Sequence, residues 1–382
     1  MRCTPDGGGA ARGLGAAGAA LVVAAQALAA AACPFCGVVD RPLAERRDAA
    51  VVTAIGVSAG PAARDSAGLL GQPFTLGQAI RGRATAGDVV AARVPGPVAG
   101  TAVLFGDAAG WEAVAADEPL LAHVAAAPDT TGPAARRLAW FAARLEHPDP
   151  AIAADAFAEF GIAPFAAVRD AAAAFDPEKL RRWIEDPGID QRRRGFYGLA
   201  LGMVAAAAAD GEHRRQCVAA LGRAVDAPGS DLRAGFDGLL AGLVVAEAAA
   251  GLDHLAARGL FARDTRAGDA RHALAVLRFA WENLADTVPR DRVAAATARL
   301  LANPAVAADA AIDLARYGDW SAVDEVAGLW HALGRDDPLV RRAVAGYLSA
   351  CPLPAAAAHL ARLREADPDR LRAALEAAVG PR

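Results

Sequence analysis

The chain has 382 residues, 54% of them hydrophobic, which excludes an intrinsically disordered protein and allows two or three domains. Lys and Arg total 40 against 44 Asp and Glu, a net charge of −4, so the cationic excess that a general nucleic-acid binder needs to displace counterions is missing. Arginine stands in for lysine throughout, Lys179 being the only lysine, and alanine is abundant, a composition that favours closely packed helices.

The first segment is a targeting pattern. Arg2 and Arg12 flank a polar, Gly-rich start, and an apolar run extends from Leu14 to Ala32. It ends in Ala30-Ala31-Ala32, the small-residue signature of a signal-peptidase site. The expectation is a signal peptide over residues 1–32 and an exported protein, periplasmic or in the cell envelope. A retained N-terminal anchor is the competing reading, and it would be the chain's only contact with a membrane. Gly13, Gly15 and Gly18 match the dinucleotide fingerprint G-x-G-x-x-G, but no strand precedes them and they lie inside this segment.

Of five cysteines, Cys3 leaves with the signal, and Cys33-Pro34-Phe35-Cys36 then stands at the mature N-terminus. Four readings compete for this pair. They are a short-range disulfide in an oxidising compartment, lipidation of Cys33, a thioredoxin-type redox site and half of a metal site. Lipidation is opposed by Ala30 where leucine is preferred, redox chemistry by the lack of a βαβ context, and metal binding by the lack of two further ligands. Cys217 and Cys351 lie in helical stretches and read as small buried side chains.

A β module is expected over residues 33–127. Short apolar runs at 50–57, 74–80, 88–94 and 101–105 are separated by Gly, Pro and Asp turns, the pattern of a small antiparallel sheet or barrel. Residues 58–71 read as a loop. Gly56-Val57-Ser58-Ala59-Gly60 matches G-x-S-x-G, but Pro61 and a polar loop follow where a nucleophile elbow needs a helix. Ser58 is therefore read as the end of a strand; among the chain's hydroxyls it is the least excluded nucleophile.

Residues 133–382 read as an α-helical repeat domain. X-Pro dipeptides at His147-Pro148, Asp176-Pro177, Asp186-Pro187, Asn303-Pro304, Asp337-Pro338 and Asp367-Pro368 can each stop one helix and start the next. Between them run apolar stripes such as Leu274, Leu277, Trp281 and Leu284, and Trp183 falls on a stripe with Leu180 and Ile184; both tryptophans are expected to fill space between helices. Gly195, Gly198 and Gly202, and again Gly235, Gly238 and Gly242, accompany stripes of Phe and Leu. Glycine lowers helix propensity, so close helix–helix contact is the expected compensation. The segment 238–246 is too short to span a membrane and reads as a buried helix. Arg316 to Trp320 reads as an inter-helix turn plugged by an aromatic.

Few residues of the chain stand in a pattern that carries chemistry. The seven histidines form no metal-binding spacing, and the single lysine lacks a Walker context. No catalytic, cofactor or metal residue is expected. Arg192, Arg193 and Arg194 sit near a helix start, where positive charge is mildly unfavourable. They are either a solvated face paired to Glu185 and Asp186 or a contact point for an acidic partner, and they are the candidate interaction surface.

The chain resembles a group of exported HEAT-like repeat proteins typical of planctomycete bacteria. The residues that carry the resemblance are Cys33-Pro34-Phe35-Cys36, Asp176 to Leu180 with Trp183 to Pro187, Arg192 to Arg194, Asp313 to Arg316 with Asp319-Trp320, and Cys351 to Pro354. The resemblance implies a HEAT-like α-solenoid of antiparallel helix pairs behind a small OB-like β module, with no catalytic residues to carry over. The Cys pair followed by strands and the Arg81-Gly82 turn also looks like the netrin-type OB barrel of metalloproteinase inhibitors, from which this chain departs by its C-x-x-C spacing and by having no further cysteine in the module. The functional expectation is an exported, non-catalytic protein that binds or scaffolds a protein partner through its helical surface, with no nucleic acid. The alternative is a redox or protease-inhibitor-like role centred on Cys33 and Cys36.

Overall fold

The structure, a computed structural model, describes residues 39–229 and 233–379. The expected export signal, with Cys3, and the pair Cys33 and Cys36 lie outside the described residues.

The chain enters through α1 (Leu43–Ala49) and then forms β1 (Val52–Ser58), a two-residue β2 (Ala63–Arg64), β3 (Leu70–Arg81), β4 (Val89–Arg93), β5 (Thr101–Asp107) and β6 (Gly110–Ala115). The sheet order is β1-β5-β6-β4-β3-β2, and β1 also pairs with β3, so five strands close into a barrel. All pairings are antiparallel except β4 with β6, where Ala92 and Arg93 lie beside Trp111 and Glu112. A closed five-stranded barrel of this order is consistent with an OB-like module. The register of β1 against β3 slips at Thr53/Ala54 and again before Gly56, irregularities that bend the long β3 around the barrel. Phe74, Leu76, Leu104 and Ala113 fill the interior. Gly82, with φ +73°, makes the turn that leaves β3.

Four elements depart from the sequence expectation: two helices, α1 and the one over Glu118–Ala126, lie inside the expected β module 33–127, and two strands were not foreseen. The run 63–64 inside the expected loop pairs with β3, and Gly110 to Ala115 forms a full strand that composition hides, since Gly, Glu and Ala are poor strand formers.

After Ala115 the described residues form no strand. The helices are α2 (Glu118–Ala126), α3 (Ala134–Ala142), α4 (Pro150–Ile162), α5 (Phe165–Asp170), α6 (Pro177–Glu185), α7 (Gln191–Ala207), α8 (Gly211–Asp226), α9 (Phe236–Glu247), α10 (Ala249–Ala257), α11 (Ala267–Asn283), α12 (Arg290–Arg299), α13 (Ala307–Tyr317), α14 (Val323–Ala332), α15 (Pro338–Ala350), α16 (Pro354–Ala366) and α17 (Pro368–Val379). Asp176 and Asp337 cap helices with Pro at the first position, as the dipeptides predict. At 147, 186 and 303 the X-Pro unit makes a turn instead. Asp186 Oδ1 accepts from Gly188 N–H and Asn303 Oδ1 from Ala305 N–H, and the helix begins a few residues later.

From α6 onward neighbours in sequence pack as pairs and alternate helices touch. Ion pairs cross from helix to next-but-one helix: Glu185 to Arg223, Asp226 to Arg258, Asp253 to Arg292. On the other set, Arg278 reaches Asp313 and Trp281 stacks on Tyr317 at 4.0 Å. The glycine faces make the closest contact. A Cβ built on Gly202 would stand 2.2 Å from Gly242 O, and one on Gly195 would stand 2.5 Å from Gly235 O, so only glycine lets α7 and α9 approach this closely. The leucines of the α11 stripe are buried, but Trp183 and Trp281 are half-buried at stripe edges and not central fillers. Gly318 closes α13 with φ +69°, and Trp320 beyond it packs edge-on against Tyr347 at 5.0 Å, the plugged turn that the sequence predicts. Cys217 and Cys351 are buried and free. Among the described residues no helix is long and apolar enough to cross a membrane.

Candidate interaction cleft

The barrel is fixed on the helices by a small set of buried groups. Val103 and Phe105 on its outer face pack with Leu43, Leu120, Val124 and Ile152. Arg47, 4% exposed, donates to the last carbonyls of α2, Val124 O at 2.9 Å and Ala127 O at 2.6 Å, and pairs with Asp48 at 2.7 Å. Asp48 in turn accepts from Thr130 N–H at 2.6 Å and pairs with Arg81 of β3 at 3.1 Å. Burial works against the charged form of Asp48, but the hydrogen bonds from Arg47 and Thr130 outweigh it, and its carboxyl titrates below the usual range. Asp155 of α4 completes the joint. Its Oδ1 accepts from Leu43 N–H at 2.7 Å, and its Oδ2 lies 2.8 Å from His123 Nε2.

This docking leaves an open cleft of about 1000 Å³ between the β4 and β6 side of the barrel, α4 and the start of α7. Its floor is apolar, with Val94, Val114, Ala154 and Phe157. Its rim carries five arginines from three places in the chain: Arg41 and Arg46 just before and within α1, Arg93 at the end of β4, and Arg192 and Arg193 at the start of α7. Arg41 pairs with Glu45 at 2.8 Å and Arg46 with Glu112 at 3.0 Å. Arg193 reaches Glu146 at 3.2 Å and lies 5.7 Å from the Phe157 ring centre. Glu146 is held for this role by a left-handed backbone, φ +53°, and also accepts from Tyr197 Oη at 2.6 Å. Burial, then the Glu146 contact, pushes the Tyr197 hydroxyl far above its ordinary pKa, so it remains a donor. Arg93 donates only to a backbone carbonyl, Ala109 O, and Arg192 has no carboxylate partner among the described residues. Asp40, Glu112, Asp155 and Asp190 are the acidic groups of the lining.

The arginine run therefore divides. Arg192 and Arg193 line the cleft, while Arg194 does not, its Nε being buried without a hydrogen bond. The expected pairing to Glu185 and Asp186 does not occur. Glu185 goes to Arg223, Asp186 caps its own turn, and Asp190 receives the Arg192 N–H as helix cap at 2.9 Å. Arg46 and Arg93 escape sequence reasoning because they lie about a hundred residues or more from Arg192 and converge only in the fold. Cys33 and Cys36 fall outside the described residues. Ser58 ends β1, and its hydroxyl receives the Gln72 amide at 2.7 Å and donates to Gly60 O at 3.2 Å, with no imidazole among those partners.

With this geometry in place, the comparisons with known proteins add one finding. Residues 280–380 match a family model of HEAT repeats. The match covers the helices from the end of α11 onward and leaves the barrel and the cleft uncovered. No curated protein matches the chain, and no solved structure does. HEAT repeats are in general protein-interaction scaffolds, typically without catalysis. Chemically, the cleft offers planar guanidinium forks above an apolar floor, a surface suited to carboxylates.

Proposed function

We propose that this chain is an exported, non-catalytic protein that binds a protein partner through a HEAT-like α-solenoid carried behind an OB-like barrel. The observation that supports this most directly is the combination of the HEAT-repeat match over 280–380 with helices paired by sequence and tied across alternate positions by ion pairs. Such stacks gain an extended surface because each unit contacts only its neighbours. Export is read from the apolar run ending at Ala32, with a mature chain beginning near Cys33. The test of export is N-terminal sequencing of protein recovered from the cell envelope. A start near Cys33 supports the reading, a diacylglyceryl adduct on Cys33 would change it to a lipoprotein, and an intact Met1 in soluble protein would sink it.

A further inference from the structure

The geometry points to the cleft between the barrel and α4/α7 as the docking site for an extended acidic segment of a partner polypeptide. The inference rests on the protein-binding reading and goes further, in naming the place and the chemistry of the partner. Three observations carry it.

The first is unpaired charge. In a chain of net charge −4, five guanidinium groups gather on one rim, and two of them, Arg93 on β4 and Arg192 on α7, lack a carboxylate partner among the described residues. They stand on different walls, so a ligand must cross the cleft to meet both. Arg93 and Arg192 supply the forks that match carboxylates, while Arg46 and Arg193 are already held by Glu112 and Glu146.

The second is the spacing of the acids within the lining. Asp40, Glu112 and Asp190 interrupt the arginines. A uniform polyanion such as a nucleic-acid backbone would meet those carboxylates as well as the arginines, whereas a polypeptide can carry its acids only where the arginines are. The apolar floor of Val94, Val114, Ala154 and Phe157 gives the side chains between the acids a place to bury.

The third is the unfinished ladder. β4 ends at Arg93, opposite Glu112, while β6 continues to Ala115. Beyond Glu112 the β4 side of β6 has no strand beside it, and Ala113 to Ala115 line the cleft. An extended chain lying there can take up backbone hydrogen bonds from that edge, the mode in which main chain gives affinity and side chains give selectivity.

The test is fluorescence anisotropy with the full mature chain and a labelled peptide of repeated Glu-Ala-Val. The expected result is saturable binding that weakens with salt, falls at least tenfold in Arg93→Glu/Arg192→Glu, and is unchanged in Arg214→Glu/Arg215→Glu, which alters exposed arginines on α8. Three results would overturn the inference: no binding, equal loss in both double variants, or equal binding of the Gln-Ala-Val peptide. Full competition by inorganic phosphate would also overturn it, since that marks a small-anion site. If the cleft fails while a partner still cross-links to the helical surface, the inference falls and the protein-binding reading stands.

Discussion

Ala248 links α9 to α10 with φ +53° and ψ −131°, a backbone conformation that costs a residue with a side chain about 1–3 kcal/mol. Ala248→Gly should therefore raise stability by about 1 kcal/mol, although glycine is normally unfavourable beside a helix. Urea denaturation checks this: the midpoint should rise with an unchanged slope. The α7/α9 glycines predict the opposite sign. An exposed helical glycine replaced by alanine gains about 0.5–1 kcal/mol, but at Gly202 the new methyl would meet Gly242 O. Gly202→Ala should cost about 1–3 kcal/mol through overpacking, and a thermal melt that rises would show that the two helices do not touch there. These glycines were legible in the sequence, because a small residue repeated on one face of an apolar helix needs a reason. Trp281 was legible only in part. Its stripe is right, but at the helix edge it stacks on Tyr317 and under Arg290, 4.9 Å away, a half-buried setting that periodicity alone does not separate from a central one.

At the scale of elements, the joint between barrel and helices depends on the Arg47–Asp48 pair. Arg47 satisfies the carbonyls that end α2, so its removal strands those carbonyls and takes from buried Asp48 its closest cation, leaving it Thr130 and Arg81. Arg47→Met should cost about 3–5 kcal/mol, the usual effect of breaking a buried ion pair from one side. Asp48 adds a pH dependence of known sign. Its folded pKa is depressed, so its contribution is present above the unfolded value of about 4 and is lost as pH falls through the folded one. As pH falls from about 4 toward the folded value, the wild type should lose stability more steeply than Asp48→Asn; parallel curves would place Asp48 outside the joint. None of this was visible in the sequence. Four of the five barrel strands announce themselves through β-branched runs and turns. Gly110 to Ala115 does not, because its strand character comes from pairing with β5, and α1 is likewise defined by what it docks on.

For the whole molecule, the division into a small β part and a long helical part was legible from a change of hydrophobic period near Pro133, but the boundary was not: the last strand ends at Ala115 and α2 already begins at Glu118. The cleft was not, since it depends on how the two parts meet. The central claim is that the helical surface binds a protein partner. It is tested most directly by placing a photo-cross-linking amino acid at the exposed positions Ala219, Ala257 and Ala295, on α8, α10 and α12, in the native cell. The same substitution at Val89, 63% exposed on the barrel away from these helices, is the control. The account predicts one discrete partner band shared by positions on these alternate helices and absent from the Val89 control. No band from any helical position, or the same band from Val89 alone, would contradict it.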